Sequence, residues 1–116
     1  MSLAGLEIGG VRVDACQRCD GRFVTSETMR SILEHDGVIA ELRAILPRAA
    51  NPWAEGGRVY VKCPVCETLM NRRQYAQGSQ VVIDWCKHHG IWFDAGELPR
   101  VLDFVAAGGL LRWALT

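Results

Sequence analysis

Cys63-Pro64-Val65-Cys66 is answered, after nineteen intervening residues, by Cys86-Lys87-His88-His89. Read as C-x2-C…C-x2-H, the two stretches supply three thiolates and one imidazole in two close pairs. Zinc takes four such donors at tetrahedral corners, at about 2.0–2.3 Å. A two-residue gap lets both members of a pair reach one ion from a single turn. The long gap leaves room for a hairpin between the turns. Cys63, Cys66, Cys86 and His89 are therefore the expected ligands of one structural zinc per chain. His88 is the alternative to His89. Neighbouring side chains point apart, so only one of them binds the ion, and the spacing from Cys86 selects His89.

Downstream, Asp94 and Glu97 stand in capping-box register, and Pro99 is tolerable only in a first helical turn. A helix is predicted from Asp94–Glu97 to about Ala107, burying Leu98, Val101, Leu102 and Val105 and stopped by Gly108-Gly109. Between the ligand pairs, strands are expected at about Thr68–Ala76 and Gln80–Trp85. Residues 47–58, with Pro47, Asn51-Pro52 and Gly56-Gly57, read as a linker to a unit spanning 59–116. The unit before it, 1–46, opens with Leu6, Ile8, Val11 and Val13 around Gly9-Gly10, a hairpin signature. A second ligand-type pair, Cys16 and Cys19, follows. Thr25-Ser26 offers a hydroxyl cap to an apolar pattern (Met29, Ile32, Leu33, Ile39, Leu42, Ile45, Leu46) that fits one amphipathic helix or two. Asp36-Gly37 marks the expected break, with Asp36 as cap.

The two units repeat one another. Val13-Asp14-x-Cys16-x-x-Cys19 matches Ile83-Asp84-x-Cys86-x-x-His89 at an offset of 70. One deletion later the offset is 69, and Phe23 falls on Trp92, Thr25 on Asp94, Met29 on Leu98, Ile32 on Val101 and Leu33 on Leu102. Counting back from Cys16 as Cys63 stands to Cys86, the first copy's front pair falls before Met1, so this copy lacks its front knuckle. Cys16 and Cys19 then form an incomplete second metal site. Three readings stay open: an idle thiol pair or local disulfide, a site completed by a second chain, or rescue in cis by His35 or His88. The idle pair is favoured, because two ligands bind zinc weakly.

Formal net charge is zero, from 13 basic and 13 acidic residues. That argues against coating nucleic acid by bulk electrostatics. No apolar run approaches the roughly 18–20 residues that span a bilayer, and residues 1–10 lack a basic flank and an apolar signal core. Five cysteines suit metal sites in a reducing compartment better than a disulfide framework. The expectation is a soluble, cytoplasmic protein without a membrane partner.

The second copy resembles the transcription factor IIB-type zinc-finger domain family in its bacterial form. The resemblance rests on Lys62-Cys63-Pro64-Val65-Cys66, on Val82-Ile83-Asp84-x-Cys86-x-x-His89-Gly90, and most specifically on Ile91-Trp92-Phe93-Asp94-Ala95-Gly96-Glu97-Leu98. It covers roughly residues 60–107. Many members carry Cys where this chain has His89. Residues 8–35 resemble the rear half of the same domain. The resemblance implies a zinc ribbon and the label of a nucleic-acid-binding finger, without naming a target.

Cys63-Pro64-Val65-Cys66 also has the form of a redox C-x-x-C, but it precedes a hairpin rather than opening a helix in a βαβ unit. Trp92 and Phe93 are expected to pack the ribbon onto its helix rather than to stack bases. Lys62, Arg72, Arg73 and Lys87 are candidate nucleic-acid contacts; a solvated hairpin edge is the favoured reading. Capping accounts for Asp94 and Glu97, and nothing in the sequence makes a catalytic constellation. The expected fold class is α+β: a small zinc-ribbon hairpin with a following helix, duplicated, the first copy truncated. The expected function is a non-catalytic protein-interaction module, the alternative a nucleic-acid-binding ribbon. The apolar stripe of residues 26–46 and the Leu110, Leu111 and Trp113 tail exceed what half a ribbon covers. They either fold together within one chain or are buried in a twofold dimer, and the dimer is favoured. On that view Ile39→Glu disperses the dimer and leaves the zinc in place.

Overall fold

A computed structural model describes residues 3–17, 19–48, 61–76 and 78–109. The expected tail contacts of Leu110, Leu111 and Trp113 and all but the first two residues of the expected linker lie outside the described residues.

The chain opens with β1 (Leu3–Ile8) and β2 (Val11–Cys16), paired from Leu3↔Cys16 to Ile8↔Val11. Gly9 and Gly10, at φ 62° and 80°, make the two-residue turn that the alternating residues around them predict. Next come β3 (Arg22–Thr25), α1 (Ser26–Leu33) and α2 (Asp36–Ile45). The second half supplies β4 (Asn71–Gln74), β5 (Val82–Cys86), β6 (Gly90–Phe93) and α3 (Glu97–Ala106). All six strands form one antiparallel sheet in the order β1-β2-β3-β6-β5-β4. The fold is thus a small mixed one, with a six-stranded sheet and three helices.

Local chemistry sets the helix ends. Thr25 Oγ1 accepts from the Thr28 amide at 3.1 Å and caps α1. The break in the apolar stripe falls at Glu34-His35, not at Asp36-Gly37. The His35 amide closes on the Ile32 carbonyl at 3.1 Å, and His35 turns extended before α2 begins. Asp36 is accordingly the first residue of α2 rather than its cap, and places a carboxylate at the positive helix end. At α3 the capping box forms one arm: Glu97 Oε1 accepts from the Asp94 amide at 2.9 Å. Asp94 Oδ1 instead accepts from Trp92 Nε1 at 3.1 Å, because left-handed Gly96 stands at the N-cap position. The helix therefore starts at Glu97, and Pro99 sits in its first turn. Gly108 at φ 82° ends it.

Strands β3 and β6 join the halves. Phe23 pairs with Trp92, and the ladder runs from Arg22↔Phe93 to Thr25↔Gly90. Each aromatic lies over a glycine of the other half. A Cβ on Gly21 would stand 2.1 Å from the Trp92 ring, and one on Gly90 would stand 3.1 Å from the Phe23 ring and 2.3 Å from the Val24 carbonyl. Gly21→Ala must therefore displace a wholly buried indole. It is expected to lower stability by about 1–3 kcal/mol, the usual cost of overpacking, read as a shift in the chemical-denaturation midpoint at unchanged slope.

Alternate residues of β3 and β6 point to opposite faces. Val24 and Phe93 join Val13 and Ile83 under the helices, in a core with Met29, Ile32, Ile39, Leu42, Leu46, Leu98, Val101 and Leu102. The stripe of residues 26–46 is thus covered within the chain, by the sheet under α1 and by α3 beside α2; Ile45 stays exposed. The ground on which the sequence favoured a dimer, an uncovered helix stripe, is absent among the described residues. Phe23 and Trp92 face the other way, into a cluster with Cys16, Val61, Cys63, Met70 and Cys86.

An ion cluster ties α2 to α3. Arg43 Nε lies 2.8 Å from Asp103 Oδ1, and Arg48 Nη1 and Nη2 donate to Oδ2 and Oδ1 at 2.6 and 2.9 Å. The Arg48 hydrogen bonds, opposed by partial burial and aided by Arg43, bring the Asp103 carboxyl from 3.8 to about 2. A carboxyl lowered on folding stabilises above its unfolded value and loses that contribution as pH falls through the folded one. The window here is about pH 4 to 2. The pair is partly exposed and screened, so the contribution is about 1 kcal/mol or less. A carboxyl-carbon NMR titration is expected to place the Asp103 midpoint near 2; a midpoint at the ordinary value would mean that the cluster does not hold in solution.

Candidate metal centre

Two turns present the four ligands. The Cys63 amide donates to the Thr68 carbonyl at 2.8 Å and the Glu67 amide to the Cys63 carbonyl at 2.8 Å, with Glu67 left-handed at φ 61°. This folds residues 63–68 into a tight knuckle that directs both sulfurs to one side. The Val65 amide points at Cys63 Sγ from 3.4 Å, the contact that favours a thiolate there. The second turn closes by the His89 amide donating to the Cys86 carbonyl at 3.1 Å, between paired β5 and β6. The expected strands Thr68–Ala76 and Gln80–Trp85 reduce to the shorter β4 and β5, with an isolated bridge between Lys62 and Leu69.

The sulfur atoms of Cys63, Cys66 and Cys86 and a ring nitrogen of His89 all lie within 4.8 Å of one another. For a tetrahedral zinc, bond lengths of about 2.3 Å to sulfur and 2.0 Å to nitrogen imply edges of about 3.8 Å for S···S and about 3.5 Å for S···N. The observed edges are 3.9 Å for Cys66–Cys86, 3.5 Å for Cys86–His89 and 3.7 Å for Cys63–His89. The group can hold a metal ion of that size and preference. Nδ1 is the His89 atom that faces the thiols, a detail that spacing alone does not give. His88 is exposed and outside the group.

The thiols are unequal. Hydrogen bonds from the Thr68 hydroxyl and amide lower exposed Cys66 to about 6, so it is largely thiolate at neutral pH. Burial pushes Cys63 up. Loading the site therefore draws a proton from Cys63 more than from Cys66. Cys63, Cys66 and Cys86 are thiols, not disulfides.

The remaining sequence candidates fall elsewhere. Cys16 ends β2 and Cys19 lies on the turn to β3, beyond the Arg22↔Phe93 end of the central ladder, whereas Cys86 and His89 lie at its Thr25↔Gly90 end. Among the described residues no group other than the quartet brings three ligand-type side chains together, so neither His35 nor His88 completes the Cys16–Cys19 pair in cis. Trp92 and Phe93 are 0 % exposed and serve as core, not as a stacking platform. Lys62, Arg72, Arg73 and Lys87 are all exposed. Arg72 Nε reaches buried Asp84 at 3.4 Å, and the Arg73 guanidinium lies 4.7 Å over the Trp85 ring. No described helix is long and apolar enough to cross a membrane. Comparison with protein-family models, curated proteins and solved structures gives no match.

Proposed function

We propose that this chain is a non-catalytic protein-interaction module built on a duplicated zinc ribbon, with one structural zinc on Cys63, Cys66, Cys86 and His89. The observation that carries the reading is the quartet's geometry. Four protein donors at tetrahedral edges fill the coordination of zinc and leave no position for a reacting water. The duplication is supported by the reciprocal packing of Phe23 on Gly90 and Trp92 on Gly21, residues related by the offset of 69. The resemblance to the transcription factor IIB-type family is part of the proposal, as is the reducing, cytoplasmic setting that open thiols require.

Nucleic-acid binding is the competing reading. Zero net charge, an internal partner for Arg72 and the burial of both ribbon aromatics stand against it. Retention of the zinc-loaded protein on random single- and double-stranded nucleic acid, measured against salt, separates the two. The interaction-module reading expects no retention at physiological salt. A steep loss of binding with rising salt would show phosphate contacts and overturn it.

A further inference from the structure

The ligands of the metal centre are not equally reachable. Cys63 and Cys86 are only 1 % and 8 % exposed. Cys66 is open to solvent, within a run from Val65 to Leu69 in which every residue is exposed. Cys16 is buried and Cys19 half-buried, so Cys66 is the most open of the five cysteines. The knuckle's backbone accounts for the contrast. The Cys63 amide and carbonyl are both held, by Thr68 and Glu67, which fixes the inner end of the turn and leaves Cys66 at its outer end. The sulfur facing Cys66 from the other knuckle is Cys86 Sγ, at 3.9 Å. A disulfide holds its sulfurs about 2.05 Å apart, so closure asks the exposed Cys66 side chain to swing by about 2 Å. Cys63 is the less suitable partner. Its sulfur is buried and engaged by the Val65 amide at 3.4 Å and by His89 Nδ1 at 3.7 Å.

A thiolate is both a metal ligand and a nucleophile. Cys66 Sγ can attack the terminal oxygen of a hydroperoxide. The O–O bond breaks, the leaving oxygen takes a proton from solvent, and Cys66 becomes a sulfenic acid. Cys86 Sγ then attacks Cys66 Sγ. The S–O bond breaks, and hydroxide leaves and is protonated by solvent. The two thiolates together lose two electrons and the hydroperoxide gains them. Zinc keeps Cys63 and His89, two donors of the four it needs, and departs. We infer that Cys66 is a modification site of the metal centre: a hydroperoxide oxidises it, Cys86 closes it to a Cys66–Cys86 disulfide, and the zinc is released. The release rests on the proposed structural zinc. The disulfide ties the same two knuckles that the metal ties, so the oxidised, metal-free chain is expected to melt above the reduced, metal-free chain. An open cleft lined by Val65 and His89 of the two knuckles and by Ser26 and Arg30 of α1 lies beside the centre, so oxidation alters a surface shared by both halves.

The experiment adds hydrogen peroxide in steps to the reduced, zinc-loaded, full-length chain. A chromophoric chelator reads released zinc, and mass spectrometry of proteolytic peptides maps the disulfides. One zinc is expected to be released for each Cys66–Cys86 disulfide formed, and a thiol reductant with added zinc to restore the loaded chain. Cys66→His exchanges the open thiol for an imidazole donor and is expected to lose the fast phase of release. Cys19→Ser, which breaks the chain's other C-x-x-C pair, is expected to keep it. The disulfide map of the parent chain decides the matter even where a variant fails to fold. Thiols lost with zinc retained, release through a Cys63–Cys66 linkage, release with no disulfide, or a zinc-loaded Cys66→His that releases as fast as the parent would each overturn the inference. A reduced chain that takes up no zinc at all would instead overturn the proposed function.

Discussion

Cys86→Ala is expected to hold no zinc and to lose ordered structure on both sides of the central ladder. Three donors remain, and the lost thiolate is one that sits 3.9 Å from Cys66 Sγ and 3.5 Å from His89 Nδ1, in the middle of the ligand set. Structural zinc contributes on the order of 10 kcal/mol to modules of this kind, comparable with the whole stability of a small domain, about 5–15 kcal/mol. The loss is not confined to residues 61–90. Phe23 of β3 packs in the cluster that holds Cys63, Cys86 and Trp92. The Ser26 amide, first in α1, donates to the carbonyl of ligand His89 at 3.1 Å. Release of the metal lets that carbonyl move and removes the partner of an amide at the helix start. Elemental analysis is expected to read no zinc, and amide exchange to lose protection at β3 and Ser26 together with β5 and β6. Full zinc content with unchanged melting would sink the ligand assignment. Loss of protection confined to residues 61–90 would sink the coupling.

The quartet was legible because metal spacing is a local property: a two-residue gap is set by one turn, whatever surrounds it. The Gly9-Gly10 hairpin and the α3 stripe were legible for the same reason. The strands that organise the sheet were not. Arg22–Thr25 and Gly90–Phe93 are four residues each, and their apolar residues are consecutive because both faces are buried, so they carry no period-two signal. The repeat equated Phe23 with Trp92 but did not say that the two equivalents stand opposite one another. The signal for that contact is Gly21 and Gly90, also related by the offset of 69, each leaving room for the other half's aromatic. The helix break was displaced by one turn end. Asp36-Gly37 has the residue types of an interruption, but the chain bends at His35, where the Leu33 and Val38 side chains both still reach the core.

Ile39→Glu is expected to weaken metal retention, the opposite of what separate units would give. Ile39 is 4 % exposed on α2, in a core shared by Val13 and Val24 of the first half and Ile83, Phe93, Val101 and Leu102 of the second. A carboxylate there has no complementary charge within that apolar set, and the cation beside it, Arg43 one turn on in the same cleft, is already paired with Asp103 at 2.8 Å. An uncompensated buried charge costs roughly 3–5 kcal/mol, a large part of the net stability. Folding and metal binding are one reaction in a module whose ligands converge only in the folded chain, so the loss appears in the apparent affinity for zinc. At 1.4 kcal/mol per factor of ten, the cost corresponds to about 100- to 4,000-fold. Competition with a chromophoric chelator is expected to strip zinc from Ile39→Glu at that much lower chelator concentration than from the parent. Ile39→Ala leaves a cavity without a charge, is expected to cost about 2–5 kcal/mol, and serves as the size control. If Ile39→Glu melts at lower temperature yet competes for zinc as the parent does, the α2–α3 core and the metal centre are independent, and the shared sheet does not transmit stability between them.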